Sequence, residues 1–137
     1  MSAGRSVLPA RYCSSIFADA NGKDLFVSYA AYADGTPPGS NVWASTNGGA
    51  SWADLGGLPD AGGLPDTPVH KVTRHPAHPQ FLYVGTEIGL LASADGGMSW
   101  ARTNEGPTNC PVYDLIWMNN RLVCATYGRG LFAIDIP

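Results

Sequence analysis

Ser45-Thr46-Asn47-Gly48-Gly49-Ala50-Ser51-Trp52 returns 48 residues later as Ser93-Ala94-Asp95-Gly96-Gly97-Met98-Ser99-Trp100. Six of the eight positions agree in kind: Ser, Asn or Asp, Gly, Gly, Ser, Trp. Asn47 and Asp95 have short side chains that hydrogen-bond backbone amides two residues on and so fix a turn. The paired glycines supply positive φ without a Cβ penalty. Trp52 and Trp100 then cover the turn with an indole, whose N–H needs a partner once buried. Each octet is therefore a tight hairpin, and Ser45, Asn47, Gly49, Trp52, Ser93, Asp95, Gly97 and Trp100 are its structural residues.

The flanks repeat as well. Before the first hairpin stand three strand-like segments, 12–19, 24–32 and 41–45; before the second stand 69–74, 81–86 and 89–93. A third set follows at 112–118, 121–126 and 131–136. In the first two units a fourth strand begins at Ser51-Trp52 and at Ser99-Trp100. Such a period of four short strands suits one blade of a β-propeller. Composition agrees: 17 Gly and 11 Pro punctuate short apolar runs, which marks an all-β chain. The sequence predicts β-propeller blades of four antiparallel strands, two full and most of a third. They form a single segment over 1–137, with blades at about 11–56, 68–104 and 111–136. Three blades leave the ring incomplete unless the chain is oligomeric or part of a longer one, because a propeller closes with about four to eight. The stretch 5–8 is a candidate fourth strand for the last blade.

The pattern S-x-D-x-G-x-[ST]-W resembles the Asp-box, or BNR repeat, of sialidases, xyloglucanase-like glycosidases, sortilin-like propellers and photosystem-assembly propellers. The first hairpin departs from it at Asn47, which keeps the capping carbonyl and loses the charge. The stretches Leu64-Pro65-Asp66-Thr67-Pro68-Val69 and Ala125-Thr126-Tyr127-Gly128-Arg129-Gly130-Leu131-Phe132 are similar to inter-blade and closing segments of large BNR proteins. The resemblance implies the C-terminal blades of such a propeller, with the Asp-box hairpins on the face opposite the family's active sites. Relatives of this kind are often secreted or periplasmic.

Charge excludes one class of partner. The net charge is −3 with no run of Lys or Arg, so no nucleic-acid partner is expected. No apolar run reaches the roughly 20 residues of a membrane span, and no h-region follows Met1, so neither membrane nor signal peptide is expected. Cys13, Cys110 and Cys124 sit where small apolar residues fit and are read as buried free thiols, with a Cys110–Cys124 bridge as the alternative. His70, His75 and His78 lack a nearby Cys or acidic residue to complete a metal set, so no metal and no cofactor is expected. The near-duplicate stretches 56–61 and 62–67 are read as an inert loop insertion.

Ligands bind a propeller where the loops at one end of the blades converge. Those loops carry Tyr32, Asp34, Asp60, Asp66, His70, Glu87, Asn109, Tyr113, Asp114, Tyr127 and Arg129. The ligand-binding set expected here is Tyr32, Asp34, His70, Glu87, Tyr113, Asp114, Tyr127 and Arg129, since aromatic faces beside carboxylates and an Arg suit sugar rings. Tyr127-Gly128-Arg129-Gly130 also reads as a sharp turn whose guanidinium pairs with a carboxylate of the adjacent blade. A glycosidase needs two carboxyl groups flanking one bond. Asp34, Glu87 and Asp114 are candidates for one of them, but nothing around them matches a glycosidase motif, and no catalytic residue is assigned. The sequence therefore reads as a non-catalytic propeller module, an interaction or carbohydrate-binding scaffold with a glycan or protein ligand. The alternatives are the C-terminal part of a BNR glycoside hydrolase, or a purely structural, self-assembling propeller fragment.

Overall fold

The computed structural model describes residues 8–9, 12–32, 41–56, 62–103 and 106–137. Among them eleven strands form three antiparallel sheets, and none is helical. The first sheet runs β1 (Cys13–Ala18), β2 (Leu25–Tyr29), β3 (Val42–Ser45), β4 (Ala53–Asp54). The second runs β5 (Val69–Arg74), β6 (Leu82–Thr86), β7 (Gly89–Ser93), β8 (Ala101–Arg102). The third has β9 (Val112–Met118), β10 (Arg121–Thr126) and β11 (Leu131–Asp135). In each sheet chain order is spatial order, as in a propeller blade. The expected strand at 5–8 falls mostly outside the described residues, and Leu8 is not in a strand.

The fourth strands start two residues later than Ser51-Trp52 and Ser99-Trp100 predict. The reason is local: the amides of Ser51 and Ser99 bond Asn47 Oδ1 and Asp95 Oδ1 at 2.9 Å each, which keeps them in the turn rather than the ladder. The two hairpins are built alike. Ser45 Oγ donates to Asn47 Oδ1 (2.8 Å) and accepts from the Gly49 amide (2.9 Å); Ser93 does the same with Asp95 (2.7 Å) and Gly97 (2.9 Å). Gly48, Gly49, Gly96 and Gly97 all take positive φ, between 72° and 98°. One bond is reversed. Asn47 Nδ2 donates to Ser51 Oγ, whereas Asp95 Oδ2 accepts from Ser99 Oγ at 2.6 Å.

That reversal has a pH consequence. The hydroxyl of Ser99, then that of Ser93 and the Ser99 amide, hold the Asp95 carboxyl down to about 2. A depressed carboxyl contributes stability that is fully present above its unfolded value and fades as pH falls through the folded one. Asp95→Asn should therefore lose less stability than the parent between pH 4 and about 2, with Asn47 as the built-in uncharged precedent. Urea midpoints across that range test this, and equal slopes for both proteins would refute it.

The sheets stack through their inner strands, β1 on β5 and β5 on β9. Both faces of the second sheet are covered, so all five residues of β6 are buried rather than alternating. Phe26, Val42, Val69, Val72, Leu82, Leu91 and Trp100 fill the first seam; Tyr83, Leu90, Val112, Leu115, Leu122, Cys124 and Ile134 fill the second. Close approach sets one constraint: a Cβ on Gly85 would lie 2.7 Å from the Val112 carbonyl oxygen of the next sheet. Arg74 ties the first seam with ion pairs to Asp19 (2.6 Å) and Asp24 (3.0 Å), its guanidinium 5.4 Å from the centre of the Phe26 ring.

Three expectations are corrected. Cys13 is exposed, not buried, while Cys110 and Cys124 are buried; all three are free thiols, so the alternative bridge does not form. The stretch 62–67 is no inert insertion. Leu64 plugs the first seam, its amide bonds the Gly56 carbonyl, and the Gly62 carbonyl accepts from the Trp100 amide. Residues 57–61 lie outside the described part.

Candidate functional site

Each inner strand carries a β-bulge near its start, between Cys13 and Ser15, between Val69 and Lys71, and opposite Ala125 and Thr126 at Val112 to Asp114. A bulge leaves its extra residue out of the ladder and re-aims its side chain. The residues so released are Ser14, His70 and Tyr113. In register, Ser15, Lys71 and Asp114 follow them, and Ala30, Glu87 and Tyr127 stand across at the ends of the second strands, their amides bonded to Tyr12, Pro68 and Pro111. These positions share one end of the three sheets. The Gly-Gly hairpins lie at the other end, since Ser45 and Ser93 close the third strands beside Leu25 and Leu82.

At this rim the side chains meet. His70 Nε2 lies 2.6 Å from Glu87 Oε2, with the imidazole N–H donating to the carboxylate. The Tyr113 and His70 rings meet edge to face with 4.5 Å between centroids, and Tyr127 follows at 6.0 Å from Tyr113. Lys71 pairs with Asp114 at 3.4 Å. Tyr113, Tyr127 and Tyr32 remain 46%, 70% and 61% exposed, so their rings are open to a ligand. The local turns are fixed by threonines: Thr86 Oγ1 donates to the Gly89 carbonyl and Thr126 Oγ1 to the Gly130 carbonyl.

Of the eight residues expected to bind ligand, the structure thus gathers His70, Glu87, Tyr113, Tyr127 and Asp114 into one run. Asp34, like Asp60, lies outside the described residues. Among the described residues Arg129 forms no ion pair with an adjacent sheet, and its amide bonds Thr126 Oγ1 at 3.2 Å. Arg129 stands exposed in its turn. Sequence reasoning missed Lys71, Ser14 and Tyr12, the last 74% exposed at the same rim. Aligning the three inner strands residue by residue would have found Ser14 and Lys71, which stand where another strand carries His70, Tyr113 or Asp114; Tyr12 stands where the others carry Pro68 and Pro111.

His75 and His78 belong to the opposite end. The His75 ring is buried; its Nδ1 accepts from the Ala77 amide (2.9 Å) and its Nε2 donates to the Ile136 carbonyl (2.6 Å). It therefore joins two sheets.

No protein-family model and no curated protein matches the sequence. Solved structures do. An ancestral GH74 enzyme superposes with a TM-score of 0.65 at 24% identity over 87% of this chain and 14% of its own. The GH74 xyloglucanase from Xanthomonas campestris gives 0.60 at 19% identity, over 82% of this chain and 19% of that one. YCF48 bound to D1 peptide gives 0.61 at 12% identity, over 95% and 38%. At these identities the likeness is one of fold, that of part of a β-propeller, and the chain spans a minor part of each neighbour.

Proposed function

We propose that this chain is a non-catalytic propeller module that binds an extended ligand, a protein segment or a glycan, across the rim formed by His70, Glu87, Tyr113, Asp114 and Tyr127. The observation that carries this is the unbroken run from the Glu87–His70 pair through Tyr113 to Tyr127, with two tyrosine rings left open. Open aromatic faces give contact area at low entropic cost, and fixed polar groups between them orient what lies on top. Glu87 and Asp114 each face a basic side chain, His70 and Lys71, which suits positioning better than proton transfer. A neighbour of the same fold is described as bound to a peptide, which favours a protein segment. In the same reading the hairpins are Asp boxes, and 11–56, 68–104 and 111–136 are three blades of one segment.

A second reading rests on the GH74 neighbours: the chain is part of a glycoside hydrolase, with Asp34, Glu87 or Asp114 as one of two catalytic carboxyls. The variants Tyr113→Ala and Tyr127→Ala should each weaken binding on peptide and glycan arrays about tenfold or more, with the fold intact. Hydrolysis of xyloglucan that is abolished by Glu87→Ala or Asp114→Ala would establish the second reading instead. Arrays that bind nothing, or binding indifferent to both tyrosines, would remove the first.

A further inference from the structure

A chain of three hydroxyls crosses the first seam at the rim. The Val72 amide donates to Ser15 Oγ at 3.2 Å, Ser15 Oγ lies 2.6 Å from Ser28 Oγ, and Ser28 Oγ lies 2.8 Å from Ser14 Oγ. Ser14 Oγ donates in turn to the Val69 carbonyl at 2.5 Å. An amide N–H only donates and a carbonyl oxygen only accepts, so the polarity of the chain is fixed from both ends. Ser14 commits its proton to Val69 and therefore accepts from Ser28, which accepts from Ser15. Each hydroxyl thus donates once and accepts once. Ser28 is fully buried, so a break in the chain strands polar groups where water does not reach them.

The two ends of this chain bracket the bulge of β5. Its extra residue, His70, follows the carbonyl of Val69, and Lys71 precedes the amide of Val72. The peptide plane that holds the Val69 carbonyl also holds the His70 nitrogen and Cα, so pinning that oxygen fixes how His70 leaves the strand. The donor belongs to a bulge as well, since Ser14 is the extra residue of β1. The second seam meets the same need with charge. There the amide of Leu115, equivalent to that of Val72, bonds Asp114 Oδ1 at 2.9 Å, and Lys71, equivalent to Ser15, pairs with that same oxygen. Room explains the contrast. Gly85 stands in β6 where Ser28 stands in β2, and a Cβ on it would lie 2.7 Å from the Val112 carbonyl oxygen, so a seryl side chain does not fit.

We infer that Ser14, Ser15 and Ser28 are positioning residues for the rim: the first sheet grips the bulge of the second and so aims His70 at Glu87 and Tyr113. The role rests on the reading of the rim as a binding surface, yet the geometry exists with or without a ligand. A bulge leaves its extra residue outside the ladder, where no strand bond holds it. With the peptides on both sides of the bulge pinned, His70 Nε2 is held 2.6 Å from Glu87 and its ring 4.5 Å from that of Tyr113 before anything binds. Order set in advance lowers what a ligand must arrange on arrival.

Nuclear magnetic resonance of the 137-residue chain without ligand tests this in Ser14→Ala and Ser15→Ala. Both serines are half-buried, so the variants keep the fold, checked by tryptophan fluorescence. In each, the cross-peaks between the His70 and Tyr113 rings should fall by about half or more, while the ring signals of His75 at the other end stay in place. In Ser15→Ala the Val72 amide loses its acceptor and should exchange about tenfold faster. Ser14→Thr and Ser15→Thr keep the hydroxyl and should restore the ring contacts. Leu82→Val loosens the same seam away from the clamp and should leave them as in the parent. Ring contacts unchanged in both alanine variants overturn the inference. So does an equal loss in Leu82→Val, or a loss that threonine does not restore, since either marks a general loosening of the seam. Arrays that bind nothing would remove the reading of the rim as a binding surface and leave the ring contacts to decide the clamp by themselves.

Discussion

Replacing Trp100 with alanine is expected to lower stability by about 3–5 kcal/mol, while the same change at Trp52 costs about 1–2. The two tryptophans occupy the same place in two copies of one hairpin, so local chemistry predicts equal effects. Their surroundings differ. Trp100 is 7% exposed within the first seam, and its Nε1 donates to the Leu55 carbonyl of the neighbouring sheet at 2.8 Å. Its own amide also bonds the Gly62 carbonyl, so it holds the loop between the sheets as well. Trp52 is half-buried against its own hairpin, near Gly49. Trp100→Phe retains most of the apolar contact but strands the Leu55 carbonyl, and is expected to cost about 1–2 kcal/mol. Urea unfolding of the three variants measures this. Equal losses at positions 52 and 100 would mean that the indoles serve their hairpins alone and that the seams contribute little.

That contrast shows what the sequence makes legible. Strand positions came through because each sheet is a local meander: the ladder partners of β5 to β8 lie within a few tens of residues, and short turns join them, the last through Gly96-Gly97. The hairpins were readable as turns for the same reason, but Asn47 and Asp95 bond the amides four residues on, at Ser51 and Ser99, and not those two residues on, which Ser45 and Ser93 take. Contacts between sheets were not. Nothing local tells that Leu64 enters a core, or that Cys13 is exposed where Val69 and Val112 are fully buried. The rim is intermediate. His70, Glu87, Tyr113 and Tyr127 were found because their loops share an end of the blades, yet the Lys71–Asp114 pair needed the register across two sheets and a bulge in each. Arg129 shows the same limit, as glycines on both sides of a side chain announce the turn that is found but not what it faces.

His75 is the case where sequence gave least and the expected effect is large. Followed by Pro76, it reads as a turn residue, and turn residues are ordinarily solvated. Here the ring is 2% exposed, with centroids 4.8 Å from Trp117 and 4.6 Å from His78. Both nitrogens are committed, Nδ1 to the Ala77 amide and Nε2 to the Ile136 carbonyl, which fixes a single tautomer with the proton on Nε2. His75→Ala removes both partners at once, and each stranded backbone group costs roughly 1–3 kcal/mol, to which a cavity adds. A total loss of about 3–5 kcal/mol is expected, concentrated at the seam between the second and third sheets. Two further variants separate the contributions. Asn places an oxygen near Nδ1 and keeps the turn bond; Gln places an N–H near Nε2 and keeps the tie to Ile136. Each should recover about half of the loss. Hydrogen exchange gives the local readout: in the alanine and asparagine variants the Ile136 amide, bonded to the Asn120 carbonyl, should open faster than the amides of β2. An alanine variant within about 1 kcal/mol of the parent, with Ile136 protection unchanged, would show that β11 is held by its ladder to β10 alone.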